Sequence, residues 1–244
     1  ALIVDFVVGL PLDALGVARN QVNELSDMAR RAIAMANEAL TKGYGTENGT
    51  TPVNVSFTGH RQPLGPQFFV YGDAELVNSQ IGIWLQESSP GSYVSDWVFT
   101  ATQMTSDNMI AYATLGTGGS ESLDTGLYVR CNSTATAFVY ANVFSNKLYL
   151  GRGTRSGGVR TYNDWLSKEI DWKVGDSLGL KAEGDVYTVY RGNVEVAKYS
   201  DTAHTATVGT SNRFVGGRVE ANYNFAAKTR TESFRVAALT FVAL

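Results

Sequence analysis

Cysteine, histidine and proline are scarce: the 244 residues include one cysteine, two histidines and five prolines. A lone Cys131 excludes an internal disulfide and a cysteine-pair zinc site, and it reads as a small buried residue. His60 and His204 lie in polar, loop-like stretches without an H-E-x-x-H pattern, so a histidine-based metal centre has no support. The Gly-x-Ser-x-Gly elbow of serine hydrolases is also missing. Charge is modest, with a formal net of −3 and a pI near 5.5. That balance argues against general binding to nucleic acid or insertion into an anionic membrane. The opening run, ALIVDFVVGL, is too short to span a bilayer, is broken by Asp5 and lacks a basic leader. Residues 1–12 therefore read as an apolar docking segment.

Glycine and aromatics are plentiful: 25 glycines and 11% Phe, Tyr and Trp suit many short strands joined by tight turns. The clearest signal runs from Trp172-Lys173-Val174-Gly175-Asp176 into three strands with two hairpin loops, Gly184-Asp185 and Gly192-Asn193. Period-two alternation then puts Leu178, Leu180, Ala182, Tyr187, Val189, Val194 and Val196 on one face. Lys181, Thr188, Tyr190 and Glu195 fall on the other. Further strand-like runs are Phe68–Tyr71, Ile81–Leu85, Trp97–Gln103, Met109–Leu115, Gly126–Arg130, Ala135–Phe144 and Lys147–Leu150. The last run, Phe234–Leu244, is nearly all apolar and predicts a strand buried on both faces. The expected class is mainly β: an antiparallel two-sheet jelly-roll sandwich over residues 53–244.

A different pattern precedes it. Residues 13–42 predict one helix about 45 Å long, with Asp13 as N-cap, Lys42 in the last turn and Gly43 closing it. Leu15, Ala18, Val22, Leu25, Ala29, Ala32, Ala36 and Ala39 occupy a and d positions over four heptads. Flanking positions turn apolar in the second half at Met28, Ile33, Met35 and Leu40, which fits burial among three or more helices. Self-association through this seam is one expectation; docking on another protein or on the chain's own sandwich is the other. Residues 43–52 form a polar, Gly- and Thr-rich joint.

Candidate chemistry is sparse. Glu169-Ile170-Asp171-Trp172 resembles the start of the carboxylate runs of jelly-roll glucanases, which place acid and nucleophile on one strand face. The third carboxylate is absent, because Lys173 and Val174 stand in its place, and Asp176 fits turn chemistry. Asp107, Asn108 and Asp124 carry oxygens that could ligate calcium, although turn formation is the plainer explanation, since any loop-rich β protein has such residues. No cofactor is implied. The segment Gly151 to Trp165, GRGTRSGGVRTYNDW, gathers Arg152, Arg155, Arg160, Tyr162, Asn163 and Trp165. Forked donors, an amide and aromatic rings together suit a saccharide. The plainer expectation is a solvated loop with Trp165 tucked under the sandwich edge.

Several ordered runs carry a family likeness: Phe57-Thr58 followed by Pro63-Leu64-Gly65-Pro66, then Thr125-Gly126-Leu127-Tyr128-Val129-Arg130, Trp172 to Asp176, and Tyr190-Arg191-Gly192-Asn193. With the helix-then-sandwich order, the chain resembles minor tail proteins of mycobacteriophages and related siphophages. It departs at Gly59 and His60, where an arginine would follow the Phe-Thr pair. The resemblance implies a concanavalin A-like sandwich, a place at the virion tail tip, attachment to host cell-envelope glycan, other tail proteins as partners and a homotrimer. It transfers no binding residue. Two other readings stay open: a glycoside hydrolase or lyase acting on envelope polysaccharide, and a non-viral lectin-like adhesion domain.

Overall fold

The computed structural model describes residues 51–85 and 90–244. The docking segment 1–12, the helix 13–42 with its seam, and all but the last two residues of the 43–52 joint lie outside the described residues. In chain order the first strands are β1 (Val53–Ser56), β2 (Arg61–Pro63), β3 (Phe68–Tyr71), β4 (Ala74–Val77), β5 (Ile81–Ile83), β6 (Gly91–Phe99), β7 (Met109–Leu115) and β8 (Thr125–Cys131). There follow β9 (Ala137–Val143), β10 (Lys147–Ser156), β11 (Val159–Glu169), β12 (Ser177–Glu183), β13 (Val186–Arg191) and β14 (Val194–Ser200). A 3-10 turn, Thr210–Asn212, precedes β15 (Phe214–Asn224), β16 (Thr229–Glu232) and β17 (Val236–Ala243).

These strands pair antiparallel into two sheets. The nine-stranded sheet runs β14-β13-β12-β7-β17-β5-β4-β2, with β1 also on β17; the eight-stranded sheet runs β11-β10-β9-β8-β15-β6-β3, with β16 on β15. Their inner faces enclose one core. Phe68, Phe99 and Phe241 meet edge to face across it, with centroids 5.2 and 5.5 Å apart. Each such ring contributes about 1.5–3 kcal/mol of burial. The chain is thus the mainly β antiparallel sandwich its alternation predicts.

Local outcomes follow from the same physics. Gly184-Asp185 and Gly192-Asn193 are the two-residue loops of the β12–β13 and β13–β14 hairpins. Their glycines take φ of +54° and +60°. Leu178, Leu180, Ala182, Tyr187 and Val189 fill the core as the alternation requires. Val194 keeps its pairing with Arg191 but stands at the hairpin end of an edge strand, 60% exposed. Farther along β14 a bulge at Val189/Tyr190 puts Ala197, in place of Val196, opposite Val189. The period-two count fails there because a bulge inserts one residue. β17 is buried on both faces. The strand expected at Trp97–Gln103 instead spans Gly91–Phe99. The segment Gly151 to Trp165 is no loop: it lies in a long hairpin, β10 and β11, joined at Gly157-Gly158. Cys131 is free and buried, and burial pushes its thiol pKa well up.

Candidate functional site

One end of the sandwich carries an open cleft. β3 of the eight-stranded sheet passes to β4 of the nine-stranded sheet through Gly72 and Asp73. Gly72 sits at φ +115°, and a Cβ there would meet the Val94 carbonyl oxygen at 2.8 Å. Only glycine fits such a bend. Ser95 Oγ pins the crossing, donating to the Tyr71 carbonyl at 3.2 Å and accepting from the Ala74 N–H at 2.9 Å. Asp73 is thereby held at the mouth. β4 and β5 then turn back through Asn78 and Ser79, both at positive φ, a conformation that matches the twist of a hairpin. Ile83 at the end of β5 and Leu85 just after it lie in the core while Trp84 between them points out, 42% exposed.

The cleft holds about 350 Å³ and is lined by Arg61, Pro63, Asp73, Ala74, Glu75, Ile83, Trp84 and Tyr93. Arg61 Nε donates to Glu75 Oε1 at 3.0 Å, and its guanidinium stands 5.3 Å from the Trp84 ring centre. An exposed indole flanked by carboxylates, a guanidinium and a phenol is a surface for a polyhydroxylated ring: the indole stacks and the polar groups meet hydroxyls. Sequence reading misses this site because its members lie at 61, 73–75, 84 and 93. The one local signal was Trp84, standing between two core positions.

The arginine-rich hairpin lands elsewhere. Arg155, Arg160 and Tyr162 share the outer face of the eight-stranded sheet, where Arg155 pairs with Arg160 and Gly153 with Tyr162 across β10 and β11. Asp96 of β6 meets them, fully buried. It accepts from Arg160 Nε at 2.8 Å and from the Tyr128 hydroxyl at 3.1 Å, and lies 3.5 Å from Arg155 Nε. The Arg155 guanidinium stacks on Tyr71 at 3.6 Å. Beside them Arg218 pairs with Asp124 at 3.1 Å and with Glu220. Asn142 donates to Asp124 at 3.0 Å. Arg152 and Asn163 pair with each other on the opposite face. Trp165 is the extra residue of a bulge at Leu150/Gly151, and it stacks on Tyr199 with centroids 4.9 Å apart. It therefore closes the sandwich edge. Three of the six candidates come together and three do not.

Asp124 gives this polar layer a pH dependence. Burial pushes its carboxyl up to about 7, against the pull of Arg218. The unfolded chain releases that proton near 3.8. Between these values the folded chain holds more protons, so stability from this group rises as pH falls from about 7 toward about 4. Asp124→Asn is expected to flatten that slope in urea unfolding at stepped pH. An unchanged slope would place the titration elsewhere.

The Emp47p carbohydrate recognition domain superposes with a TM-score of 0.50 at 12% identity, over 78% of this chain and 94% of that one. The shared fold is an antiparallel β-sandwich. The carbohydrate binding module CBM66 from Bacillus subtilis matches at 14% identity and TM-score 0.40 over 78% and 92% of the two chains. A native glycosidic hydrolase matches at 7% and 0.46 over 78% and 95%. At these identities the likeness is one of fold alone. No family model matches the chain, and no curated protein matches it in sequence.

On this sandwich the glucanase-like carboxylates stand apart from the cleft. Glu169 ends β11 exposed, and Asp171 pairs with Lys173 at 2.5 Å on the surface. Asp176 accepts from the Lys173 N–H at 2.8 Å and pairs with Arg191 at 2.7 Å, which is turn chemistry. The calcium candidates are occupied by other partners. Asp107 accepts from Arg213 at 2.8 Å, and Asn108 accepts from the Gly184 N–H at 2.9 Å. Among the described residues no group of three or more His, Cys, Asp or Glu is placed to hold a metal ion.

Proposed function

We propose that the chain is a non-catalytic, glycan-binding adhesion domain, and that it serves at a phage tail tip in attachment to the host cell envelope. The observation that carries the glycan reading is Trp84, held exposed in a cleft with Arg61, Asp73, Glu75 and Tyr93. A solvated indole loses burial free energy that most tryptophans gain, and ligand stacking is the return that this arrangement offers. The fold agrees, since the Emp47p domain of similar architecture is named a carbohydrate recognition domain. Arg155 and Arg160, which the sequence offered as sugar contacts, are buried in ion pairs with Asp96 and add no surface to this reading. Tail-tip location, tail-protein partners and a homotrimer rest on the ordered sequence runs and the 13–42 seam. Three copies would convert weak single-site binding into avidity, by about 10²–10⁴-fold for linked sites.

A glycan array probed with the intact chain and with Trp84→Ala tests the reading. Trp84→Ala is expected to weaken the best glycan at least about tenfold, as loss of an aromatic anchor does. Its thermal unfolding should stay close to that of the parent. Incubation with the same glycan should release no new reducing ends. An array without signal, or a Trp84→Ala variant that binds unchanged, would overturn the cleft as the contact. Light scattering that finds only monomer at micromolar concentration would overturn the trimer.

A further inference from the structure

Six charged side chains line the two hollows that share Trp84, and five of them are engaged. In the cleft described above, Arg61 donates to Glu75 at 3.0 Å. In a smaller hollow of about 80 Å³, Glu232 accepts from Arg235 in a fork at 2.9–3.0 Å. Arg230 is held as well, with its guanidinium 5.9 Å from the Tyr223 ring centre. The sixth is Asp73, whose carboxylate has no hydrogen bond or ion pair among the described residues. The cleft therefore sets one guanidinium against two carboxylates, and Asp73 carries the balance of −1.

The backbone fixes where that charge stands. Gly72 before it is held at φ +115° against the Val94 carbonyl, and Ser95 Oγ bonds the Tyr71 carbonyl and the Ala74 N–H on its two flanks. Ala74 behind it is buried. A carboxylate placed this way loses little freedom when a ligand meets it. Asp73 is exposed, so water solvates it in the free protein and a ligand has to replace that solvation. An ionised carboxylate only accepts hydrogen bonds. A sugar hydroxyl offers it one neutral donor, whereas an ammonium offers N–H donors together with the missing countercharge. Hydrogen bonds between charged partners are roughly twice as strong as neutral ones. The same ammonium is attracted to an indole face by the ring quadrupole. An anionic sugar would instead meet Asp73 with like charge. At about 350 Å³ the cleft lies at the small end of ligand sites and suits a sugar ring.

We infer that the saccharide of the Trp84 cleft carries a free amino group, its ring against Trp84 and its ammonium on Asp73. This rests on the glycan-binding reading and names the class of glycan. Arg61 and Glu75, each neutralised by the other, are left to meet hydroxyls. Acetylation of the sugar nitrogen removes its charge and all but one of its donors, so the N-acetylated twin is the ligand that Asp73 discriminates against. The contact is exposed, and the preference should shrink as salt shortens the Debye length.

Titration calorimetry on the intact chain tests this with a glucosamine tetrasaccharide, its N-acetylated form, and cadaverine as an amine without a sugar. At mildly acidic pH and low salt, where the amines are charged, the free-amine sugar is expected to bind about tenfold or more tightly than its acetylated twin. Asp73→Asn should bring that ratio close to one by weakening the free-amine form. Arg61→Gln, which leaves both carboxylates uncompensated, should raise the ratio, and Trp84→Ala should weaken both sugars. Thermal unfolding of each variant checks that the fold is kept. Equal affinities, a preference for the acetylated sugar, or a ratio untouched by Asp73→Asn overturns the amino class and leaves adhesion standing. Cadaverine bound as tightly as the tetrasaccharide overturns the part assigned to the sugar ring. No binding of any probe overturns the inference, and the array then decides whether the glycan reading falls with it.

Discussion

Asp96→Ala is expected to cost about 3–5 kcal/mol of folding stability, the range for removing one partner of a buried ion pair. The Asp96 side chain is fully buried and is the shared counter-ion of two arginines, Arg160 at 2.8 Å and Arg155 at 3.5 Å. It also accepts from the buried Tyr128 hydroxyl. Its loss leaves two guanidiniums at 7% and 15% side-chain exposure without a carboxylate. Their remaining bonds, Arg155 to the Thr134 carbonyl and Arg160 to the Val94 carbonyl, supply no countercharge. Urea unfolding reads the loss as a lower midpoint at unchanged slope. A companion variant, Asp96→Ala with Arg155→Met and Arg160→Met, removes the stranded charges and should recover most of it. A single-variant loss below about 1 kcal/mol would mean that water reaches this face and the pairs are worth what surface pairs are worth.

That layer marks where sequence reading stops. Arg155, Arg160 and Tyr162 stand out by composition and do share a face, yet the residue that defines their chemistry, Asp96, is 64 positions from Arg160. Nothing near Asp96 signals a buried charge; it occupies one position of an alternating strand, Gly91–Phe99, otherwise read as starting later. Trp165 was legible as a residue under the sandwich edge because an indole needs a cover; the bulge that places it there was not. The twin hairpins from Leu178 to Ala197 were legible because turn glycines and period-two alternation are local. Ala197 escaped: a bulge changes parity without changing composition, and it puts Ala197 instead of Val196 opposite Val189. The Trp84 cleft was hidden for a topological reason: it forms where the chain crosses between sheets, and its lining comes from four separate segments.

Arg130→Met is expected to cost about 3 kcal/mol, through acceptors left unpaired. Arg130 is buried at the end of β8 and sits at φ +46°. That turn carries its side chain out of the eight-stranded sheet toward the other layer. Its Nε donates to the Asp107 carbonyl at 2.9 Å, Nη2 to the Gly184 carbonyl at 2.7 Å, and Nη1 to the Tyr187 hydroxyl. Its own carbonyl accepts from Asn212 Nδ2 at 3.3 Å. One guanidinium thus ties a strand end, the β12–β13 hairpin tip and the loop after β6 into one unit. A methionine fills similar volume but satisfies none of the three acceptors. Tyr187→Phe should cost about 1 kcal/mol alone, and the double variant should lose less than the sum of the two. Additive losses, or an Arg130→Met variant as stable as the parent, would show that these contacts form without joining the sheets energetically. A coupled result places the link at the sandwich end formed by Asp107 and Gly184, away from the Trp84 cleft, so glycan binding should survive both substitutions while the unfolding midpoint falls.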